Sequence, residues 1–147
     1  MTRRRRRPVR SPGALETVFY DGTCGLCHSL VRFVLQRSPD DPRLLFAPLG
    51  GETFRKEVPE ALRASLPDSV VVHTERGELK TRAAAVLHLF ERLGGVWKVL
   101  AWLVRPVPRF LLDFLYDVVA RARRRFFPAP PSSCPVPSEN QRDRFLP

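Results

Sequence analysis

Apolar segments rich in β-branched and aromatic residues predict β-strands at three places along the chain, and a turn predicts a fourth. The first segment stops at Asp21-Gly22. The third precedes Glu75-Arg76-Gly77, a turn sequence that indicates a hairpin with the residues after it. The predicted strands are Thr17–Tyr20, Leu44–Ala47, Ser69–Thr74 and Glu78–Lys80.

Apolar residues at helical spacing predict helices between and after these strands. The first helix ends at Ser38-Pro39, a weaker helical region at Thr53–Leu66 is interrupted by Pro59, and Val96–Val104 forms a short apolar helix. Three stripes are expected to face the core: Leu26, Leu30, Phe33 and Val34 in the first helix; Ala83, Val86, Leu87 and Phe90 in a helix capped by Thr81 and ended by Gly94-Gly95; and Leu111, Phe114, Leu115, Val118 and Ala122 in the last helix.

The order of these elements predicts an α/β fold. A strand–helix–strand unit requires a parallel pair, and the later hairpin adds antiparallel strands to the same sheet. This is the order of the thioredoxin-like fold, a mixed four-stranded sheet with flanking helices, here followed by an additional C-terminal helical segment. The predicted organisation is a disordered Arg-rich tail at 1–14, the domain at 15–127, and a Pro-rich tail at 128–147, where six prolines argue against regular structure.

Composition and charge limit the classes of function. With 147 residues, 44% of them apolar, the chain can bury the core of one domain, and the net charge is +10. Six arginines in the first ten residues, and a second cluster at Arg121 and 123–125, would suit nucleic acid or an anionic membrane surface. No recognition motif accompanies this charge, which favours a solvated tail. Neither a membrane-spanning stretch nor an export signal is evident, so we expect a cytoplasmic protein. We also expect a monomer, although no feature of the sequence sets the oligomeric state.

The segment Asp21–His28 carries the most specific chemistry, because Cys24 and Cys27 lie two residues apart where a predicted strand leads into a helix. Unpaired N–H groups and the helix dipole stabilise an anion at such a position, which favours a reactive thiolate at Cys24. Cys27 lies one turn further along, and is expected to be more buried and able to attack the Cys24 sulfur in a mixed disulfide. The pattern therefore predicts dithiol–disulfide exchange, which needs no metal or organic cofactor.

Three other interpretations use the same cysteines. They are inert core residues, a c-type haem attachment site formed with His28, or a zinc site completed by two of His28, His73, His88 and Cys134. Haem attachment is disfavoured because the only methionine is Met1 and no export signal is evident. Zinc is disfavoured because the chain has a single local cluster of ligands.

The residues near the pair have more than one interpretation. Asp21 is either a proton relay for the thiols or a turn former that accepts hydrogen bonds from nearby N–H groups. His28 is expected to face solvent, and His73 and His88 to be structural. Cys134 is either a third redox thiol or a free cysteine in the C-terminal tail.

Val18–Arg37, with Asp21, Cys24 and Cys27 at its centre, resembles the DCC family of thiol–disulfide oxidoreductases, which is named for an Asp-x-x-Cys-x-x-Cys motif and associated with a thioredoxin-like fold. The resemblance implies that these three residues are the functional ones. A comparison with thioredoxins, where a cis-proline faces the thiols, suggests Pro67 for that part. Looser likenesses are Thr81-Arg82-Ala83, the set Tyr116, Ala120 and Arg123, the pair Cys134-Pro135, and the ending Arg144-Phe145-Leu146.

The sequence thus predicts a thiol–disulfide oxidoreductase in which Cys24 attacks the disulfide of a protein or small thiol partner, Cys27 resolves the mixed disulfide and Asp21 assists proton transfer. The alternative is a non-catalytic thioredoxin-like binding module whose basic ends engage nucleic acid or an anionic membrane surface.

Overall fold

The computed structural model of the protein describes residues 15–38, 41–67, 69–126 and 139–147. The predicted tail at 1–14 and the first part of the predicted Pro-rich tail, with Cys134, lie outside these ranges. The described elements are β1 Glu16–Tyr20, α1 Gly25–Arg37, β2 Leu44–Pro48, α2 Glu52–Glu57, α3 Glu60–Arg63, β3 Val71–His73, β4 Leu79–Thr81, α4 Arg82–Leu93, α5 Gly95–Val104, α6 Arg109–Phe126 and a final 3-10 turn, Glu139–Arg144.

The four strands form one mixed sheet in the order β2-β1-β3-β4. β1 pairs in parallel with β2, Val18 lying opposite Phe46, and antiparallel with β3, where Val18 lies opposite Val72. β3 and β4 form the expected antiparallel hairpin. The predicted α/β fold, a thioredoxin-like mixed sheet with flanking helices and a further C-terminal helix, is confirmed. β3 is shorter than the predicted Ser69–Thr74 strand. At its start the Ser69 N–H donates to the Pro67 carbonyl and the Val70 N–H to the Tyr116 hydroxyl, so neither pairs with a strand.

Alternating side chains of the sheet divide the core into two layers. On one face Val18, Phe46 and Val72 pack against α1 and α4. On the other face Phe19, Ala47 and Val71 pack against α2 and the residue that follows it, Val58. Cys24 and Cys27 belong to the first layer. The core thereby fixes α1, and with it the two cysteines, against the end of β1.

The predicted inner stripes of α1 and α4 are displaced around each helix. In α1 the buried side chains are Cys27, His28, Val31, Val34 and Leu35, and in α4 they are Ala85 and Leu89. Phe33, which belongs to the predicted stripe, is half-buried at the edge of the first core layer and packs edge-on against Trp97 of α5, with ring centroids 4.8 Å apart. Phe90 packs against the same indole at 5.3 Å. These apolar residues serve the contacts between helices, which the pattern along a single helix does not distinguish from contacts with a sheet.

Helix α4 also starts differently from the prediction. Thr81 occupies the N-cap position but makes no side-chain capping hydrogen bond. Arg82 follows it with φ of 51°, in the left-handed region that disfavours residues with a Cβ atom. The predicted end of the helix at Gly94 is confirmed, with φ of 71° at that glycine.

The predicted orientation of α6 is wrong. Leu111, Phe114, Leu115 and Val118 were expected to face the core, yet all four side chains are exposed. The side of the helix that faces the domain carries polar residues, among them the buried Arg123 and the half-buried Tyr116 and Asp117. The helical spacing of the apolar residues predicts the helix correctly, but the apolar side of α6 faces outward and not toward the core.

The described part of the predicted Pro-rich tail packs on the sheet instead of being irregular. Arg144 is buried and donates to the carbonyl oxygens of Leu44 (3.0 Å) and Ser38 (2.7 Å). Phe145 forms a bridge with Phe46 of β2 and stacks on its ring. Within the described residues, no helix is both long enough and apolar enough to cross a membrane.

A candidate thiol site at the start of the first helix

The junction between β1 and α1 positions both cysteines. β1 ends at Tyr20, a three-residue turn follows, and Cys24 is the N-cap of α1. The sulfur of Cys24 accepts a hydrogen bond from the Cys27 N–H at 3.3 Å. A side-chain cap of this kind satisfies one of the free N–H groups of a helix start, so the Cys24 sulfur lies where the backbone favours negative charge.

The two thiols are free and differ in their surroundings. The exposed fraction is 7% for Cys24 and 2% for Cys27. A hydrogen bond from the Cys27 thiol lowers the pKa of Cys24 to about 6 against the opposing effect of burial, with further help from the Cys27 N–H and the positive charge of Arg123. The same thiol–thiol hydrogen bond, together with burial, raises the pKa of Cys27. At neutral pH the arrangement therefore favours a thiolate on Cys24 and keeps the proton on Cys27.

Asp21 forms the turn that precedes Cys24. Its Oδ1 accepts hydrogen bonds from the Thr23 N–H at 2.9 Å and from the Thr23 hydroxyl at 2.7 Å. Its Oδ2 lies 3.9 Å from Nη2 of Arg123. One carboxylate oxygen thus performs the turn-forming role, while the other faces a cation beside the thiols. The two interpretations of Asp21 are compatible with each other.

Arg123 is a component of the site that the sequence did not single out. It lies on α6 with 9% of its surface exposed, and its Nη1 is 4.0 Å from the sulfur of Cys27. Its guanidinium therefore lies between that sulfur and the carboxylate of Asp21. The available signal was the likeness of Tyr116, Ala120 and Arg123 to a late helix of the DCC family, but neither that likeness nor the basic cluster predicted that Arg123 lies beside the thiols.

Tyr116 of α6 lies near the thiols, and its phenol is affected by the charge of both cysteines. Its hydroxyl accepts a hydrogen bond from the N–H of Val70 at 3.4 Å, and Val70 packs in the core layer that contains both cysteines. Burial raises the pKa of the Tyr116 phenol, and the negative charge of the cysteines adds to this effect. The expectation for Pro67 is wrong, because every peptide bond among the described residues is trans.

The expectation that His28 faces solvent is also wrong. Its side chain is buried, and its Nε2–H donates to the carbonyl of Gly22 at 2.9 Å. The ring also packs edge-on against Tyr20 at 5.9 Å. This contact ties the first turn of α1 back to the turn before Cys24, so His28 supports the position of the cysteines.

The other histidines pair with carboxylates away from the thiol pair. His73 binds Glu57, and His88 binds Glu16. Within the part of the chain that the structure describes, no three residues of the kinds His, Cys, Asp and Glu come together as a metal site.

Comparisons with known proteins give one family model and two curated relatives. A protein-family model described as DCC1-like thiol-disulfide oxidoreductase matches residues 18–129. The chain is 29% identical over 130 residues to the uncharacterized protein YuxK of Bacillus subtilis (strain 168), covering 88% of this chain and 93% of YuxK. It is 32% identical over 111 residues to a chloroplastic DCC family protein of Arabidopsis thaliana, covering 75% of this chain and 63% of that protein. No solved structure matches the chain significantly.

Proposed function

Because the chain belongs to the DCC1-like thiol-disulfide oxidoreductase family, we propose that it exchanges the Cys24–Cys27 dithiol with the disulfide of a protein or small thiol partner. The observation that carries this proposal is the asymmetry of the pair. Cys24 caps α1 with a pKa lowered to about 6, while Cys27 is buried and holds its proton. A nucleophile and a resolving thiol need these opposite properties.

In the first step the Cys24 thiolate attacks one sulfur of the partner disulfide. A bond forms between Cys24 and that sulfur, the partner's S–S bond breaks, and the second partner sulfur leaves as a thiolate that takes a proton from solvent. In the second step Cys27 loses its proton and attacks Cys24, which releases the first partner sulfur. The protein dithiol gives up two electrons, the partner gains them, and the reverse sequence forms a disulfide in the partner.

The second step requires a thiolate on Cys27, whose pKa is raised in the reduced protein by its hydrogen bond to Cys24 and by burial. Once Cys24 is in a mixed disulfide, its negative charge is gone, and its contribution to the raised pKa of Cys27 is lost. Arg123, 4.0 Å from the Cys27 sulfur, then stabilises the new thiolate. We assign Asp21, whose Oδ2 faces Arg123, the role of assisting the departure of the Cys27 proton.

Access to Cys24 constrains the partner. Only 7% of Cys24 is exposed, and Thr23 beside it is exposed. A small thiol or an extended peptide segment would reach such a residue more readily than a disulfide enclosed in a rigid fold. The neighbouring Gly22 and Gly25 have no side chains to obstruct the approach.

The proposal is tested with single cysteine variants and a disulfide-containing peptide. Cys27→Ser should accumulate a mixed disulfide through Cys24, because nothing resolves it, and Cys24→Ser should abolish exchange. Intact-mass spectrometry detects the adduct, and both variants are also made in a Cys134→Ser background so that an adduct on the third cysteine is not counted. Wild-type exchange rates in both Cys24→Ser and Cys27→Ser would refute the mechanism.

A further inference from the structure

The outward faces of α5 and α6 carry nearly all of the exposed large apolar side chains. Of thirteen such residues among those described, twelve lie between Val96 and Phe126, and the other is Leu62. They include four aromatic residues, Trp102, Phe110, Phe114 and Phe126. Single exposed apolar residues are ordinary on protein surfaces, but a concentration of this kind marks a surface that another molecule covers.

The spacing of these residues gives each helix an ordered apolar stripe. Val96, Val99 and Leu103 recur at helical intervals on α5, and Phe110, Phe114 and Val118 do so on α6. The inner side of α6 is already occupied by Tyr116 and Arg123 at the thiol pair and by Asp117, which lies 3.7 Å from Arg82. The described part of the chain therefore leaves both apolar stripes facing outward.

The exposed charges described on the same two helices and the link between them have one sign. From residue 95 to 126, the exposed charged side chains that the structure describes are all basic: Lys98, Arg105, Arg109, Arg121 and Arg125. The two acids of this segment, Asp113 and Asp117, are half-buried. Arg121 follows Val118 by three residues and Arg125 follows it by seven, so both continue the apolar stripe of α6 at its C-terminal end.

We propose that the α5–α6 face, meaning the exposed side chains of residues 96–126, docks on the surface of an anionic lipid bilayer. Helices that carry Trp, Phe and Leu on one face, with arginine beside them, lie in the plane of the membrane interface. The aromatic and aliphatic side chains enter the boundary between headgroups and acyl chains. The arginines bind lipid phosphates in the geometry that guanidinium groups favour.

Charge complementarity selects this occupant over the alternatives. An anionic bilayer offers phosphates and hydrocarbon together, which matches basic and apolar side chains on the same helices. Nucleic acid would engage the arginines but would leave Phe110 and Phe114 in water. A second copy of the chain would bring mostly like charges together, because the exposed charged side chains described on residues 96–126 are basic and Glu91 of α4 is an acid that lies beside them.

Docking would leave the thiol pair unobstructed by the membrane. Tyr116 and Arg123 lie on the inner side of α6, and the exposed apolar side chains lie on its outer side. The helix therefore separates the thiols from the bilayer. This proposal goes beyond the proposed redox function and does not depend on it.

The test is sedimentation of the full-length protein with lipid vesicles. We expect binding to phosphatidylcholine vesicles that contain about one third phosphatidylglycerol, weak binding to pure phosphatidylcholine, and release at high salt. Phe110→Ser/Phe114→Ser and Arg121→Gln/Arg125→Gln should each weaken binding by about tenfold or more. The matched controls, Leu62→Ser and Arg32→Gln/Arg76→Gln, alter exposed side chains of the same kinds elsewhere and should bind as the wild type does.

A second readout follows the protein itself. Trp102 is exposed, whereas Trp97 packs between Phe33 and Phe90, so a blue shift of the tryptophan emission on vesicle addition should come from Trp102. Circular dichroism confirms that each variant is folded, and Cys24→Ser should bind vesicles normally even if thiol exchange is absent. The proposal is overturned if the face variants bind vesicles as well as the wild type does. It is also overturned if the wild type does not bind vesicles and the same variants instead abolish self-association or nucleic-acid binding.

Discussion

Cys24 and Cys27 have the same side chain, and their surroundings make them chemically different. The Cys24 sulfur accepts hydrogen bonds at a helix start, while the Cys27 sulfur donates one from a more buried position. The spacing of the pair, and its place between a strand and a helix, already predicted this division. Neither the extent of the burial nor the contribution of Arg123 could be predicted, because both depend on a helix that begins far along the chain.

Arg123→Gln should raise the pKa of Cys24, because it removes the positive charge that helps to stabilise the thiolate. We expect the pH midpoint of Cys24 alkylation to move upward from about 6, and the alkylation rate near that midpoint to fall by about twofold to tenfold. The measurement is the rate of iodoacetamide labelling against pH in a Cys134→Ser background.

Two further variants make that experiment specific. Arg123→Lys keeps a cation and should restore part of the shift. Arg121→Gln removes an exposed arginine from the same helix and should leave the labelling midpoint unchanged. An equal shift in the Arg121 and Arg123 variants would mean that net charge, and not the position of Arg123, sets the reactivity.

At the scale of elements, the C-terminal residues contribute more than their composition indicates. The Arg144 guanidinium is buried against Ser38, which follows α1, and against Leu44 of β2, and donates to a carbonyl of each. It therefore joins the end of the first helix to the start of the strand that pairs with β1.

Arg144→Ala should lower the free energy of unfolding by about 2–3 kcal/mol, because it leaves buried carbonyl groups without their charged donor. The matched control is Arg142→Ala, which removes an exposed arginine two residues earlier in the same 3-10 turn. Urea denaturation followed by circular dichroism measures both. If the two variants unfold at the same urea concentration, residues 139–147 do not stabilise the domain as their contacts imply.

Local patterns predicted the strands and helices well, since hydrophobic period, turn residues and glycine stops act over a few residues. They failed where an element has two kinds of neighbour. The stripe of α1 is divided between the core and Trp97. The stripe of α6 faces outward, since the inner side of that helix carries Tyr116 and Arg123, which lie near the thiols. A single sequence does not indicate whether one side of a helix packs against a sheet, against another helix or against solvent.

At the scale of the whole molecule, the lowered pKa of Cys24 links stability to pH. Its ordinary value of 9.0 applies to the unfolded chain, and the folded value is about 6. Between these two values the unfolded state holds a proton that the folded state has lost, so the free energy of unfolding rises with pH. As pH falls through about 6, this contribution disappears.

The reduced protein should therefore be more stable at pH 8 than at pH 6, and Cys24→Ser should lose that part of the dependence. Above pH 9.0, the ordinary pKa of a cysteine, the raised pKa of Cys27 lowers the free energy of unfolding as pH rises. The reason is that Cys27 loses its proton there in the unfolded chain but keeps it in the folded protein. Thermal unfolding in reducing buffer across this range measures the effect. Identical pH profiles for the wild type and Cys24→Ser would show that no thiolate is stabilised by folding.

The bridge between Phe145 and Phe46 also determines which side of the sheet is protected against unwanted pairing. β2 is an outer strand, and the last residues lie along it, with the Leu146 N–H donating to the Phe46 carbonyl at 2.8 Å. The opposite outer strand, β4, is three residues long with Lys80 at its centre, which makes it a poor template for another chain. Residues 145 and 146 therefore cover the edge of β2. A chain that ends before Phe145 would leave this edge unpaired and is expected to aggregate more readily through it.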